Sequence, residues 1–148
     1  MIGIIVTGHG GFASGLEKNV KMIAGDGVEL TAIDFTEGLG LEELKDQIKA
    51  AVDKYADCDC TLILCDLAGG TPYNSAVTIS VSNPKVRVIS GTNAPLLLDL
   101  AMRNVMEEGA EDVDALAEEM MTSGRDGINK FVLDLEDNGD EDGDGDGI

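Results

Sequence analysis

Short apolar runs alternate with longer segments of helical spacing along the first 135 residues of the chain. The apolar runs, each bounded by turn residues, predict strands at positions 2–7, 28–35, 60–66, 85–90 and 130–135. Between them, apolar residues recur every three or four positions, as on the buried side of a helix. This spacing predicts helices at about 12–24, 41–55, 72–82, 94–108 and 112–123.

The early strands are apolar on successive residues rather than on alternate ones, which indicates burial of both faces. Strands of this kind, alternating with helices, are typical of a parallel sheet covered by helices. We therefore expect a doubly wound α/β domain over residues 1–135, with a mostly parallel sheet in flavodoxin-like order. Residues 136–148 carry almost no apolar side chain, and we expect them to form a disordered acidic tail.

Charge and composition narrow the classes of partner. The chain has 29 acidic and 10 basic residues, a formal net charge of −19, and only 3% aromatic residues. Such a chain is repelled by phosphate backbones and offers few platforms for base stacking, so we expect no nucleic-acid partner. It has no signal-peptide pattern and no apolar run as long as a membrane span, so we expect a cytoplasmic protein.

The three cysteines, Cys58, Cys60 and Cys65, are expected to be reduced thiols in such a compartment. Cys58 and Cys60 could be two ligands of a metal site, but no second cysteine pair or nearby histidine supplies the other ligands. We therefore expect no metal, and the chain needs no cofactor in the interpretation that we favour below.

Candidate chemistry begins at the glycine-rich loop GHGGFASG after the first strand, which holds His9, the one histidine of the sequence. The loop fits the dinucleotide-binding pattern G-x-G-x-x-A, with Asp34 at the end of the second strand as the acid that binds the ribose. It also fits an ordinary tight turn in which His9 has no chemical role. In a third interpretation His9 is a nucleophile that attacks a phosphoryl group and forms a phosphohistidine.

A phosphohistidine mechanism needs a carboxylate to orient the imidazole, and Asp66 is the candidate. Asp66 ends the third strand, and in a flavodoxin-like sheet the first and third strands are neighbours whose carboxyl ends meet. We therefore expect His9 and Asp66 to lie side by side, although they are distant in sequence. Taken alone, Asp66 would be interpreted as an ordinary capping acid at a strand end.

Backbone amides at helix N-termini are suitable ligands for a transferring phosphoryl group. Two glycine-containing loops lie at predicted helix starts, and a few side chains nearby carry polar groups. We predict that the phosphoryl group is bound by Gly10, Gly11, Gly69, Gly70 and Thr71. Further hydrogen bonds could come from Ser14 and Asn93, although helix capping is the favoured role of Ser14.

Four segments occur together in the chain: Gly8-His9-Gly10 after the first strand, DLAGGTPYN at 66–74, GTNAPL at 91–96 and SGRDG at 123–127. With these segments, spread over residues 1–135, the chain resembles the enzyme IIA domain of the mannose-type sugar phosphotransferase system. Each segment is weakly specific alone, and the set is specific. In that family the counterpart of Asp66 hydrogen-bonds the active histidine, which leaves the other ring nitrogen to react.

The resemblance implies a phosphotransferase that works through a phosphohistidine. His9 would accept a phosphoryl group from phospho-HPr and pass it to enzyme IIB, which phosphorylates sugar entering through a membrane permease of enzymes IIC and IID. Peripheral association with that complex is implied, and the sugar itself is left open. The family is also homodimeric, with the last strand exchanged between subunits, and residues 130–135 are placed to do this.

One alternative shares the same histidine chemistry: the IIA-like subunit of dihydroxyacetone kinase. The segment GGTP after Asp66 favours the transport family over that subunit. A dinucleotide-binding module remains the alternative from a different class.

Overall fold

The computed structural model describes residues 1–134, and in that range it contains four strands and five helices. The predicted elements are confirmed with one exception, at the C-terminal end, and their boundaries differ from the predicted ones by a few residues. In chain order the elements are β1 (Ile2–His9), α1 (Phe12–Ala24), β2 (Thr31–Phe35), α2 (Leu41–Lys54), β3 (Cys60–Cys65), α3 (Thr71–Ser80), β4 (Val86–Ile89), α4 (Ala94–Val105) and α5 (Val113–Asp126).

The four strands form one parallel sheet in the order β2-β1-β3-β4. This is the predicted flavodoxin-like order, with β1 and β3 side by side in the centre. The register pairs Thr7 of β1 with Cys65 of β3, and His9 of β1 with Phe35 of β2. The last residues of the central strands therefore reach the same carboxyl edge of the sheet.

Helices cover both faces of the sheet. On one face, Ile4 and Leu62 of the central strands pack in a cluster with residues of α1, α4 and α5. On the other face, Ile5 and Ile63 pack with residues of α2 and α3. All four side chains are fully buried, which explains why the central strands are apolar on successive residues.

Strand β2 is shorter than the predicted run. The ladder between β1 and β2 begins at the pair Ile5–Thr31, so residues 28–30 precede the strand. Val28 and Leu30 are nevertheless buried against the core. Their apolar character therefore reflects burial of the connection from α1 rather than strand pairing.

The last strand predicted at 130–135 does not form in the single chain over residues 130–134. Residues 130–134 have no regular secondary structure, and Phe131 and Leu133 are 83% and 66% exposed. A strand needs the main-chain hydrogen bonds of a neighbour, and this segment pairs with none of β1–β4. Residue 135 and the predicted tail, 136–148, lie outside the described residues.

Two expectations from composition bear on the described range. Across residues 1–134, none of the helices has the length and apolar character needed to cross a bilayer. All three cysteines are unpaired; Cys60 and Cys65 are buried, and Cys58 is partly exposed.

Candidate functional site

His9 and Asp66 meet at the carboxyl edge of the sheet, as their strand positions predict. His9 is the last residue of β1, and Asp66 directly follows β3. The ring Nδ1 of His9 lies 2.7 Å from Oδ2 of Asp66. The main-chain N–H of His9 donates to the same oxygen at 2.9 Å. The carboxylate is therefore held to both the backbone and the ring of the histidine.

The carboxyl group of Asp66 is ionised in this setting. Its side chain is only 12% exposed, and this burial would raise its pKa. Hydrogen bonds from the His9 main chain, the His9 ring and the N–H of Leu67 outweigh the burial and lower the pKa of Asp66 below its usual range. Because an ionised carboxylate has no proton to donate, the ring proton of neutral His9 resides on Nδ1 and the lone pair on Nε2.

The imidazole is presented to solvent beside the start of α3. The His9 side chain is 46% exposed, and the ring of Phe35 packs edge-on against it with centroids 5.8 Å apart. A Cβ added at Gly70 would lie 2.7 Å from Cε1 and 3.4 Å from Nε2 of the ring. The absence of a side chain at Gly70 therefore makes room for the Cε1–Nε2 side of the ring.

A second glycine makes room for the carboxylate. A Cβ at Gly8 would lie 2.9 Å from Cγ of Asp66 and 2.5 Å from Cδ1 of Phe12. In the sequence, Gly8 stands out only as part of the glycine-rich loop motif. Its steric role depends on Asp66 coming close across the sheet, and the glycine-before-histidine pattern was the one signal of it.

The N-terminus of α3 offers backbone donors next to Nε2. Gly70 is the N-cap residue, in extended conformation, and no side chain caps this helix end. Gly69 takes the left-handed conformation, with φ of +78°, which glycine adopts without strain. By helix geometry, the first-turn amides have no partner within the helix. Of the predicted residues, Gly70 thus lies beside Nε2 of His9, and Gly69 and Thr71 are its neighbours in the chain.

The N-terminus of α1 is already engaged, which corrects part of the predicted phosphoryl site. The N–H of Gly10 donates to the carbonyl of Phe35 at 2.9 Å, so this amide is not available to a ligand. Oδ1 of Asp34 accepts the N–H of Ser14 at 2.9 Å. Asp34 therefore caps α1 and is not free to bind a ribose. Its negative charge lies at the helix start, where a dinucleotide would place its pyrophosphate. Of the α1 candidates, Gly11, the N-cap residue, remains.

The side chains of Ser14 and Asn93, the two further candidates for phosphoryl binding, make hydrogen bonds within the fold. The Ser14 hydroxyl lies 3.4 Å from the carbonyl oxygen of Gly11, within its own helix start. Oδ1 of Asn93 accepts the N–H of Leu96 at 3.1 Å, and Nδ2 of Asn93 donates to the carbonyl of Gly124 at 2.8 Å. Asn93 thus caps α4 and ties it to α5, so its amide is committed to the fold rather than free for a ligand. Asn93 lies in the loop after β4, the strand next to β3, and neither of its side-chain hydrogen bonds goes to His9.

Comparison with known proteins gives one consistent family. The family model described as the fructose IIA component of the phosphotransferase system matches residues 3–117. The fructose-specific EIIA component of Bacillus subtilis is 33% identical over 100 residues, which cover 68% of each chain. The sorbose-specific EIIA component of Lacticaseibacillus casei is 35% identical over 99 residues, which cover 67% of this chain and 71% of that one.

A solved structure supports the same assignment. The mannose/sorbose-specific IIA subunit of Enterococcus faecalis superimposes with a TM-score of 0.79 at 26% identity, covering 89% of this chain and 96% of that one. The residues matched by the family model, 3–117, include both His9 and Asp66 and most of the described fold. The chain therefore belongs to the mannose-type family of enzyme IIA components of the sugar phosphotransferase system.

Proposed function

We propose that His9 is the residue that carries the phosphoryl group, accepting it from phospho-HPr and passing it to enzyme IIB. The observation that carries this proposal is the 2.7 Å contact between Nδ1 of His9 and Asp66. It occupies one ring nitrogen and leaves the other, Nε2, on an exposed face of the ring. A single exposed imidazole whose tautomer is fixed by a carboxylate is suited to nucleophilic attack on phosphorus.

The transfer conserves atoms and protons at each step. The Nε2 lone pair of His9 attacks the phosphorus of the donor phosphohistidine, and the donor nitrogen leaves with the electrons of its own nitrogen–phosphorus bond. The His9 ring keeps its proton on Nδ1 and becomes positively charged, and the Asp66 carboxylate offsets that charge. In the second transfer the acceptor attacks the same phosphorus, and the electron pair returns to Nε2.

Backbone amides hold the transferring group in this proposal. The uncapped start of α3, with Gly70 and Thr71 after the turn at Gly69, lies beside Nε2 and carries the positive end of a helix dipole. The amide of Gly11 at the start of α1 can add a donor. Fixed dipoles of this kind stabilise the charge that develops during phosphoryl transfer, and they act locally, whereas the diffuse negative charge of the chain is screened by salt over about 10 Å.

We assign donor and acceptor to the same rim around His9, used in turn. Leu67, directly after Asp66, is 62% exposed and offers an apolar contact at that rim. The acidic chain, with a formal net charge of −19, attracts partners whose binding faces are basic. In this proposal the protein works in the cytoplasm and meets the permease of enzymes IIC and IID through enzyme IIB.

We also propose that two copies of the chain associate through the segment after α5. Residues Ile128, Phe131, Val132 and Leu133 are each at least 66% exposed. Apolar side chains in a continuous exposed segment favour burial against a second surface. Exchange of residues 130–135 onto the sheet of a second copy would supply the strand partner that the single chain lacks.

Labelling with phosphoenolpyruvate, enzyme I and HPr tests the proposal. His9→Ala should remain unlabelled while it unfolds at the same urea concentration as the wild type. Asp66→Asn should be labelled about a hundredfold more slowly or worse, because it no longer orients and neutralises the ring. Asp59→Asn, at the opposite end of the same strand, is the matched control and should be labelled normally. Undiminished labelling of His9→Ala would refute the proposal.

A further inference from the structure

We propose that Asn93 is a positioning residue for phosphoryl transfer, acting on Asp66 through residues 91–93 of the loop between β4 and α4. The inference rests on the proposed function of His9 and Asp66. The side chain of Asn93 hydrogen-bonds to Leu96 and Gly124 rather than to either of them.

The loop is bonded to the main chain that carries Asp66. The N–H of Gly91 donates to the carbonyl of Asp66 at 3.0 Å, and the N–H of Thr92 donates to the carbonyl of Cys65 at 3.1 Å. These bonds lie just beyond the last pair of the β3–β4 ladder, Leu64–Ile89. They hold the backbone of Asp66 at the point where the chain leaves the sheet.

Asn93 fixes this loop to two helices at once. Its Oδ1 caps α4 through the N–H of Leu96, and its Nδ2 bridges to the carbonyl of Gly124 near the end of α5. Gly124 is buried, and a Cβ there would lie 3.3 Å from Oδ1 of Asn93 and 3.2 Å from Cδ1 of Leu96. The absence of a side chain at 124 therefore lets α5 approach closely enough for the bridge to form.

The consequence for the reaction follows from the order of these contacts. The bridge positions the loop, the loop positions the Asp66 backbone, and the Asp66 carboxylate orients the His9 ring. Phosphoryl transfer depends on placing the attacking atom in line with the phosphorus, so a small displacement is costly. Loss of the bridge should lower the maximum rate and leave the KM for the donor unchanged, because both hydrogen bonds of Asn93 lie within the fold.

Two substitutions separate the bridge from the cap. Asn93→Asp keeps an oxygen that can cap α4, but its ionised carboxylate has no proton to donate to the carbonyl of Gly124. Asn93→Ser also keeps a capping oxygen, and its hydroxyl is one atom shorter than the amide that reaches Gly124. Asp112→Ala is the matched control, because Asp112 caps α5 and has no link to the loop. Each variant is measured for labelling by phospho-HPr over a range of donor concentrations, and by NMR for the Nδ1 proton of His9.

We expect both Asn93 variants to lose about tenfold in maximum rate, with unchanged KM and a shifted or exchange-broadened Nδ1 proton. Asp112→Ala should keep the wild-type rate and the wild-type proton signal at a similar loss of stability. Wild-type rates and signals in both Asn93 variants would overturn the inference, as would an equal loss in Asp112→Ala. If the wild type accepts no phosphoryl group, the proposed function fails, and the NMR comparison alone still decides the role of Asn93.

Discussion

At the scale of single residues, the geometry of the site depends on missing side chains as much as on the side chains of His9 and Asp66. His9 and Asp66 are in contact because Gly8 and Gly70 present no Cβ atoms on either side of the pair. One glycine admits the carboxylate and the other admits the ring. The orientation that leaves Nε2 exposed is therefore set by sterics as well as by the hydrogen bond to Nδ1.

Gly70→Ala tests this steric requirement. The new methyl group would meet the His9 ring at 2.7 Å from Cε1, so the ring must turn and lose its alignment with Asp66. We expect the maximum rate of labelling by phospho-HPr to fall by about tenfold or more, since transfer is sensitive to the position of the attacking atom.

Gly40→Ala is a matched control for that substitution. Gly40 is the N-cap of α2 with φ of −71° and ψ of 154°, close to the −72° and 165° of Gly70. A Cβ at Gly40 would meet no atom within 4 Å, so this variant should be labelled at the wild-type rate. A Gly70→Ala protein that is labelled as fast as the Gly40→Ala protein would remove the steric argument.

At the scale of elements, the site is made by the carboxyl ends of the two central strands. The unbroken apolar character of β1 and β3, alternating with helices, predicted a parallel sheet. The flavodoxin-like order expected of that sheet then predicted that His9 meets Asp66. The engagement of Gly10 could not be predicted, because its partner is a carbonyl on the neighbouring strand β2. The role of Asn93 likewise depends on the approach of α5, which no local pattern reports.

The absence of a strand at 130–134 in the single chain has the same origin. Phe131 and Leu133 alternate with other residues as in a strand, but a strand exists only where a neighbour offers main-chain partners. Among the described residues, 130–133 pair with none of the strands β1–β4. Sequence pattern reports the apolar character of a segment, and the partner that buries it must come from the rest of the structure.

The burial of β3 beneath the site has a testable chemical consequence at Cys65. Burial, with a contribution from the nearby Asp66 charge, raises the pKa of this thiol to about 12. The thiolate is the reactive species, so at pH 8 Cys65 of the folded protein is protonated and inaccessible. We expect no alkylation by iodoacetamide at Cys65 by peptide mass spectrometry, and prompt alkylation in urea.

Cys58 serves as the internal reference in the same sample. It is partly exposed, whereas Cys65 is fully buried, so it should react first in the folded protein. Alkylation of Cys65 at the rate of Cys58 without denaturant would show that β3 is not buried as described.

At the scale of the whole molecule, we propose that this acidic phosphoryl carrier pairs with a second copy of itself. The exposed apolar side chains from Ile128 to Leu133 contrast with the strong negative charge of the chain. Like charges oppose association, so a dimer needs a local apolar contact that outweighs a repulsion which salt screens. The segment after α5, with four exposed apolar side chains close together in sequence, offers one.

Sedimentation equilibrium tests the proposed pairing. The wild type should be a dimer, and Phe131→Asp combined with Leu133→Asp should be a monomer, because buried carboxylates without partners are strongly unfavourable. Deletion of residues 136–148 should leave both the dimer and the labelling of His9 unchanged. A monomeric wild type would contradict the proposed exchange, and a large loss of labelling on deletion would assign the acidic tail a role in transfer.

In the proposed mechanism, Asp66 holds Nδ1 of His9, and Nε2 carries the phosphoryl group. Nitrogen-15 and phosphorus-31 NMR of the protein labelled by phospho-HPr identifies the phosphorylated nitrogen directly, through its coupling to phosphorus. We expect a phosphoryl group on Nε2 of His9, with the proton retained on Nδ1. A phosphoryl group on Nδ1, or on any other residue, would contradict it.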